Sequence, residues 1–315
     1  MHAESWRYSN VERIVALGDI HGAYDPLVQT LQNAGVIDDR LGWSGGNTHL
    51  VFTGDFLDRG ADSRRVMDFV MRLESEAAKA GGRVHMTLGN HEVMNIIGDL
   101  RYAADAEFAA FADDESAAER EDWYRKFRES QPDDAEEAPV RAAFNERAPP
   151  GYFGHRRAFG PDGTYGKWLL AKPLLIVVND IAFVHGGMPP YVAEHGLAGV
   201  NTRLKEELRS YATARSDLED AGILSPIDRF KELPSILADR LDSGQFDDGV
   251  ATKVRVVLEH KDSPLNGPAG PTWYRGSSIC SNLVEGDVLS AALERIEAKR
   301  VAVGHTTATT RRVQQ

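Results

Sequence analysis

Short apolar runs, each closed by a glycine and polar residues, set the frame of this chain. Residues 12–18 carry Ile14, Val15, Ala16 and Leu17 in succession, and residues 49–53 and 83–88 hold comparable runs. Runs of that length, bounded by turn formers, predict buried strands. Between them the period lengthens. Residues 25–34 predict a helix with Pro26 in its first turn and Gly35 just past its end. Residues 63–79 predict a longer helix, stopped by Gly81 and Gly82, and another is expected to begin near Val93. Strand–helix–strand–helix at this spacing indicates βαβ units in a largely buried sheet. The ligand site of such a sheet lies beyond the carboxyl ends of its strands.

The pattern changes between about 103 and 150, where Ala, Glu and Asp dominate and Pro132, Pro139, Pro149 and Pro150 punctuate. This stretch is expected to form exposed helices and loops inserted between the sheet segments, with a mobile acidic turn at 133–137. Order resumes at 174–185, where two apolar runs flank Asn179-Asp180 and predict a β-hairpin. A second helical region covers about 200–245, a last helix 287–299, and a last strand 301–303 runs into Gly304-His305. No internal repeat is present, and residues 1–315 are expected to form a single domain.

Composition narrows the function. A chain of 315 residues, 42% hydrophobic and 27% charged, suits one large α/β domain. Its net charge of −12 argues against nucleic acid as a partner, because that affinity rests on clustered Lys and Arg. No apolar run reaches the roughly 18–20 residues of a membrane span. The first ten residues carry no leader-like core. A cytoplasmic location is therefore expected, or a periplasmic or exported one if a leader was removed. Cys280 is the only cysteine, which leaves no internal disulfide and no cysteine-rich metal site.

The strand ends carry the chemistry. Asp19 and His21 follow the first strand, Asp55 and Asp58-Arg59 the second, and Asn90, His91 and Glu92 the third. Later strands end in His185 and His305. Rigid strand ends can hold metal ligands to the tolerance that catalysis needs. Imidazole, carboxylate and amide together suit manganese, iron or zinc and poorly suit calcium. The other histidines, His2, His49, His85, His155, His195 and His260, are read as structural or exposed, and Glu92 as a support for its loop.

These segments resemble a known family. Gly18-Asp19-Ile20-His21-Gly22, Gly54-Asp55-Phe56-Leu57-Asp58-Arg59-Gly60 and Gly89-Asn90-His91-Glu92 are similar to the three signatures of the phosphoprotein phosphatases, within the calcineurin-like metallophosphoesterases. His185-Gly186-Gly187 and Gly304-His305-Thr306 look like its later histidine motifs. Residues 89–102 and 270–276 are similar to the bacterial-type branch called Shewanella-like phosphatases. The resemblance implies an α/β metallophosphatase fold: a central β-sandwich flanked by helices, with a helical acidic insertion.

It also implies roles. Asp19 and His21 would bind one divalent ion, Asp55 would bridge two, and Asn90, His185 and His305 would bind the second. Manganese is the expected metal, with iron or zinc as substitutes. His91 would be the general acid, oriented by Asp58, while Arg59, Asn90 and Arg275 would hold the phosphate. Trp273 and Tyr274 are read either as site wall or as core. The expected reaction is hydrolysis of a phosphate monoester, on a phosphorylated protein, a peptide or a small molecule, by a water bridging the two ions. Hydrolysis of phosphodiesters or dinucleoside polyphosphates is the first alternative, and a non-catalytic metal-binding module the second. The family continues through further strands after the last histidine motif, whereas only residues 306–315 follow it here. The C-terminal end is thus expected to be truncated, with a sheet edge left to invite association.

Overall fold

The computed structural model describes residues 6–307. Strands β1 (Arg7–Tyr8), β2 (Ile14–Leu17), β3 (His49–Phe52), β4 (Arg83–Met86), β5 (Leu175–Val178), β6 (Ile181–Val184) and β7 (Arg300–Ala302) form two sheets. One is parallel in the order β2–β3–β4. The other runs β1–β5–β6–β7, parallel except for the antiparallel β5–β6 hairpin. The hairpin turns at Asn179, whose φ of 55° Asn tolerates, and its side-chain amide holds both backbone groups of Val11.

Period-two alternation explains the continuous apolar runs, because both strand faces are covered. Val51 of β3 meets Ile176, Val178 and Phe183 of the opposing sheet, closing a sandwich. Leu50 and Phe52 point the other way into the main core. There they join α1 (Tyr24–Asn33) and α2 (Ser63–Lys79). Val66, Val70, Leu73 and Ala77 of α2 are fully buried at helical spacing. Each larger one contributes about 1.5–3 kcal/mol of transfer free energy. The expected β-sandwich flanked by helices is the observed architecture.

Three differences from the sequence reading have physical causes. Strand β2 is not buried: Ala16 is exposed and its neighbours half-buried, because β2 pairs on one side only among the described residues. Helix α3 (Asn90–Ile97) begins at Asn90 rather than near Val93, which puts Asn90, His91 and Glu92 in its first turn. The inserted stretch is not merely exposed. Its helices α4 (Asp105–Ala109), α5 (Ala117–Glu129) and α6 (Glu137–Arg147), with α7 (Tyr152–Phe159), enclose a second core of Phe108, Tyr124, Val140, Phe144, Tyr152 and Phe153.

Further elements escaped the pattern: β1, α7, α8 (Thr164–Leu170) and a helix at Asp248–Glu259 were not expected. Helix α9 spans Pro190–Asp220, kinked at Gly196, and the last helix, Asn282–Arg295, starts ahead of residue 287. No helix among the described residues is long and apolar enough to cross a membrane. Residues 308–315, where the truncation is expected, lie outside the described residues, as does His2.

Candidate metal centre

The site assembles where the strands end. Gly54 and Gly89 bring the loops after β3 and β4 together: a Cβ on Gly89 would lie 2.2 Å from Asp55 Oδ1, and one on Gly54 2.4 Å from Gly89 N. Only glycine permits this approach. Glu92, one turn into α3, accepts 2.8 Å hydrogen bonds from the backbone N–H groups of Gly89, Asp55 and Phe56. The expectation that it supports the loop is met. Burial, with the Asp55 charge, pushes its carboxyl up to about 7, against the pull of those N–H donors.

Backbone strain is concentrated in the same place. Nine non-glycine residues among those described have positive φ, and five of them are His21, Asp55, Asp58, Arg59 and His305. Each such conformation costs on the order of 1–3 kcal/mol, and packing must hold it. For Asp55, His21 N–H donates to the Asp55 carbonyl at 2.9 Å and His91 N–H to Asp55 Oδ1 at 3.1 Å.

Asp55 is shared by two clusters of potential ligands: His21, Asp55 and His91 in one, Asp55, His185 and His305 in the other. His185 Nε2 lies 2.9 Å from Asn90 Oδ1, 3.1 Å from His305 Nδ1 and 3.2 Å from Asp55 Oδ2. His21 Nε2 lies 3.7 Å from Asp55 Oδ2 and 3.8 Å from Asp19 Oδ2. Asp19 Oδ1 accepts from His305 N–H at 2.9 Å, tying the first loop to the last.

The donor set fits cations. His21 Nδ1–H donates to the Leu57 carbonyl at 2.8 Å and His185 Nδ1–H to the Thr53 carbonyl at 2.7 Å. Each turns its Nε2 toward the site, the nitrogen a metal would use. His21 Nε2 and His305 Nε2 are buried without a hydrogen-bond partner. Burial lowers the His21 pKa, and burial with the His185 and Arg275 charges brings His305 down to about 3, so both imidazoles are neutral, whereas Asp55 raises the His185 pKa against burial and a bound metal would displace that proton. Burial works against ionisation of Asp55, but His185 outweighs it and holds the carboxyl down at about 2. Neutral imidazole and ionised carboxylate are the states that bind metal.

Beside this cluster, His91 Nδ1 and Asp58 Oδ2 are 2.5 Å apart and both side chains are buried. Burial opposes a charge on His91, but the Asp58 hydrogen bond and the Asp55 and Asp58 charges outweigh it and raise its pKa. Arg59 is exposed, and its Nη2 lies 3.3 Å from His91 Nε2. Arg275, also exposed, donates to the His305 carbonyl at 2.9 Å and to Thr306 Oγ1 at 3.0 Å. The structure thus brings Asp19, His21, Asp55, Asn90, His185 and His305 together with His91, Asp58, Arg59 and Arg275. Trp273 stands edge-on to His305 at 5.5 Å, on the wall, while Tyr274 turns its hydroxyl to Glu285 at 2.7 Å. Of the other described histidines, His85, His155 and His260 are buried, among residues outside this cluster.

Three neighbours escaped the sequence reading. Asn95 Nδ2 donates to Asp58 Oδ1 at 3.0 Å and to the His91 carbonyl at 2.9 Å; its spacing of four from His91 on one helix was the available signal. Glu107, from α4, lies 3.4 Å from Asp58 N. The Tyr102 carbonyl accepts from Arg59 N–H at 3.0 Å. Tyr102 closes the segment 89–102 that carried the resemblance, although no role was read for it there, and Glu107 had no sequence signal.

Fold and site together define a metallophosphoesterase. The description "Calcineurin-like phosphoesterase" matches residues 12–308, and the chain belongs to that family. It is 34% identical over 224 residues to Shewanella-like protein phosphatase 2 of Arabidopsis thaliana, covering 66% of this chain and 55% of that protein. With Shewanella-like protein phosphatase 1 of Plasmodium berghei it shares 28% over 206 residues, 64% of this chain and 47% of the relative. The chain therefore spans about half the length of these relatives. Among solved structures, the cold-active protein-tyrosine phosphatase of a psychrophilic Shewanella species superposes with a TM-score of 0.58 at 26% identity, over 96% of this chain and 68% of the other.

Proposed function

We propose that this chain is a two-metal phosphomonoesterase acting on phosphorylated proteins or peptides, tyrosine among the acceptors. The observation that carries the reading is Asp55 Oδ2, 3.7 Å from His21 Nε2 on one side and 3.2 Å from His185 Nε2 on the other, with the His91–Asp58 pair beside it. Asp19, His21 and Asp55 would hold one cation, and Asp55, Asn90, His185 and His305 the other. Manganese is the first choice, with iron or zinc as substitutes. A bound cation pair supplies an activated nucleophile and offsets the charge of the phosphoryl group.

The remaining work belongs to the chain. Arg59 and Arg275 offer planar forks that match two phosphate oxygens. His91 carries a proton at Nε2 to the leaving oxygen, and buried Asp58 holds the ring and stabilises its charge. The Arg59–His91 contact suits only an unprotonated Nε2, so charging His91 frees Arg59 for the phosphate. The names of the relatives, protein phosphatases and a protein-tyrosine phosphatase, support a protein substrate.

The test compares hydrolysis of 4-nitrophenyl phosphate and bis(4-nitrophenyl) phosphate by manganese-loaded protein, followed by a phosphopeptide panel. Monoester turnover well above diester turnover is expected. Faster diester cleavage would move the reading to phosphodiesters or dinucleoside polyphosphates. No turnover in a metal-replete sample would leave a binding module.

A further inference from the structure

We propose that Tyr102 sets the choice of leaving group, favouring aryl over alkyl phosphate esters by stacking against the departing ring. The inference rests on the monoesterase reading and gives Tyr102, at the end of the segment 89–102, a role of its own. Tyr102 is the only exposed large aromatic ring among the described residues, with 42% of its surface open. Its centroid lies 5.2 Å from that of His91, with the planes tilted by 42°. Its carbonyl holds Arg59 N–H, so the ring is anchored to the phosphate clamp on one side and set against the acid on the other. The Arg101 guanidinium, held in turn by Asp99, stands 5.8 Å from the ring centroid and braces it.

The chemistry fixes where a leaving group must lie. Hydrolysis breaks the bond between phosphorus and the ester oxygen, water supplies the new oxygen on phosphorus, and the departing oxygen takes its proton from His91 Nε2. At that moment the departing oxygen sits about 2.6–3.2 Å from Nε2. A phenolic leaving group then brings its own ring into the roughly 4.5–7 Å range over which aromatic pairs attract. A serine or threonine side chain offers Tyr102 only aliphatic carbon there. Aromatic pairing of this kind is worth about two- to twelvefold in rate constant. Its ring stays open to solvent, whereas all other large aromatic rings among the described residues are at least half-buried by packing.

Matched peptides phosphorylated on tyrosine and on threonine would be assayed with the manganese-loaded protein and with Tyr102→Ala, Tyr102→Leu and Tyr102→Phe. The readout is the ratio of kcat/KM for the two peptides, which a general loss of folding does not move. The ratio is expected to fall about two- to twelvefold in the Ala and Leu variants and to return in the Phe variant. An unchanged ratio in both Ala and Leu, with both peptides hydrolysed, overturns the role of Tyr102 alone. If the parent protein hydrolyses neither peptide nor 4-nitrophenyl phosphate, the monoesterase reading fails and this inference with it.

Discussion

Replacing Asp58 by Asn removes one charge and almost no volume, so it isolates what that carboxylate does for His91. In the structure Asp58 Oδ2 meets His91 Nδ1 at 2.5 Å and Oδ1 accepts from Asn95 at 3.0 Å, away from solvent. An amide can still accept one of these bonds, but without a charge. Hydrogen bonds to charged groups contribute about 1.5–3 kcal/mol, which is roughly 10–100-fold in rate. The sign follows from the balance at His91. Burial disfavours the imidazolium, and the Asp58 bond, with the Asp55 and Asp58 charges, more than restores it. Without Asp58, burial gains weight, the pKa falls and less acid is present at neutral pH.

The alkaline limb of kcat/KM should therefore move to lower pH in Asp58→Asn. Stability changes in the same sense. A raised folded pKa stabilises the protein below the unfolded value, near 6.5, and that contribution is lost as pH rises through the folded value. The variant should thus lose most stability on the acidic side. Leaving-group dependence completes the assay: phosphothreonine needs a proton on departure, whereas nitrophenolate leaves without one. The loss should approach 10–100-fold for the peptide and be much smaller for 4-nitrophenyl phosphate. Full removal of the acid in His91→Asn sets the ceiling, about 10²–10⁴-fold. Equal losses on both substrates with an unmoved alkaline limb would refute the acid assignment.

Two further outcomes can be measured directly. Asp55→Asn should lower the content of both ions together, because both ligand clusters include that side chain; elemental analysis showing two ions per chain in the variant would contradict a bridging role. Arg215→Met should destabilise the fold by about 3–5 kcal/mol, read from the denaturation midpoint. Buried Arg215 donates to the Ile97 carbonyl at 2.7 Å at the end of α3, to the Asp228 carbonyl at 2.9 Å and to Glu219 at 2.7 Å. A midpoint within error of the parent would remove that anchor from the account.

Local sequence determined a good deal. Helix α2 was legible to the residue, because apolar positions at helical spacing end at Gly81, whose positive φ only glycine takes cheaply. The βαβ order and the strand-end motifs were legible for a similar reason: each is a short-range pattern of strand, glycine and polar residue. Asp19, His21, Asp55, Asp58, Arg59, Asn90 and His91 could be named from such patterns alone. What the sequence could not contain is distance between loops. That Asp55 belongs to two clusters, that His305 closes over Asp19, and that Tyr102 and Glu107 reach back to Arg59 and Asp58 depend on chain segments separated by tens to hundreds of residues. The same holds for the insertion, whose acidic surface hid a second core formed only when α5, α6 and α7 meet. Hydrophobic periodicity records which face of an element is buried. Only packing decides what it is buried against, and the chemistry of this site resides in those encounters.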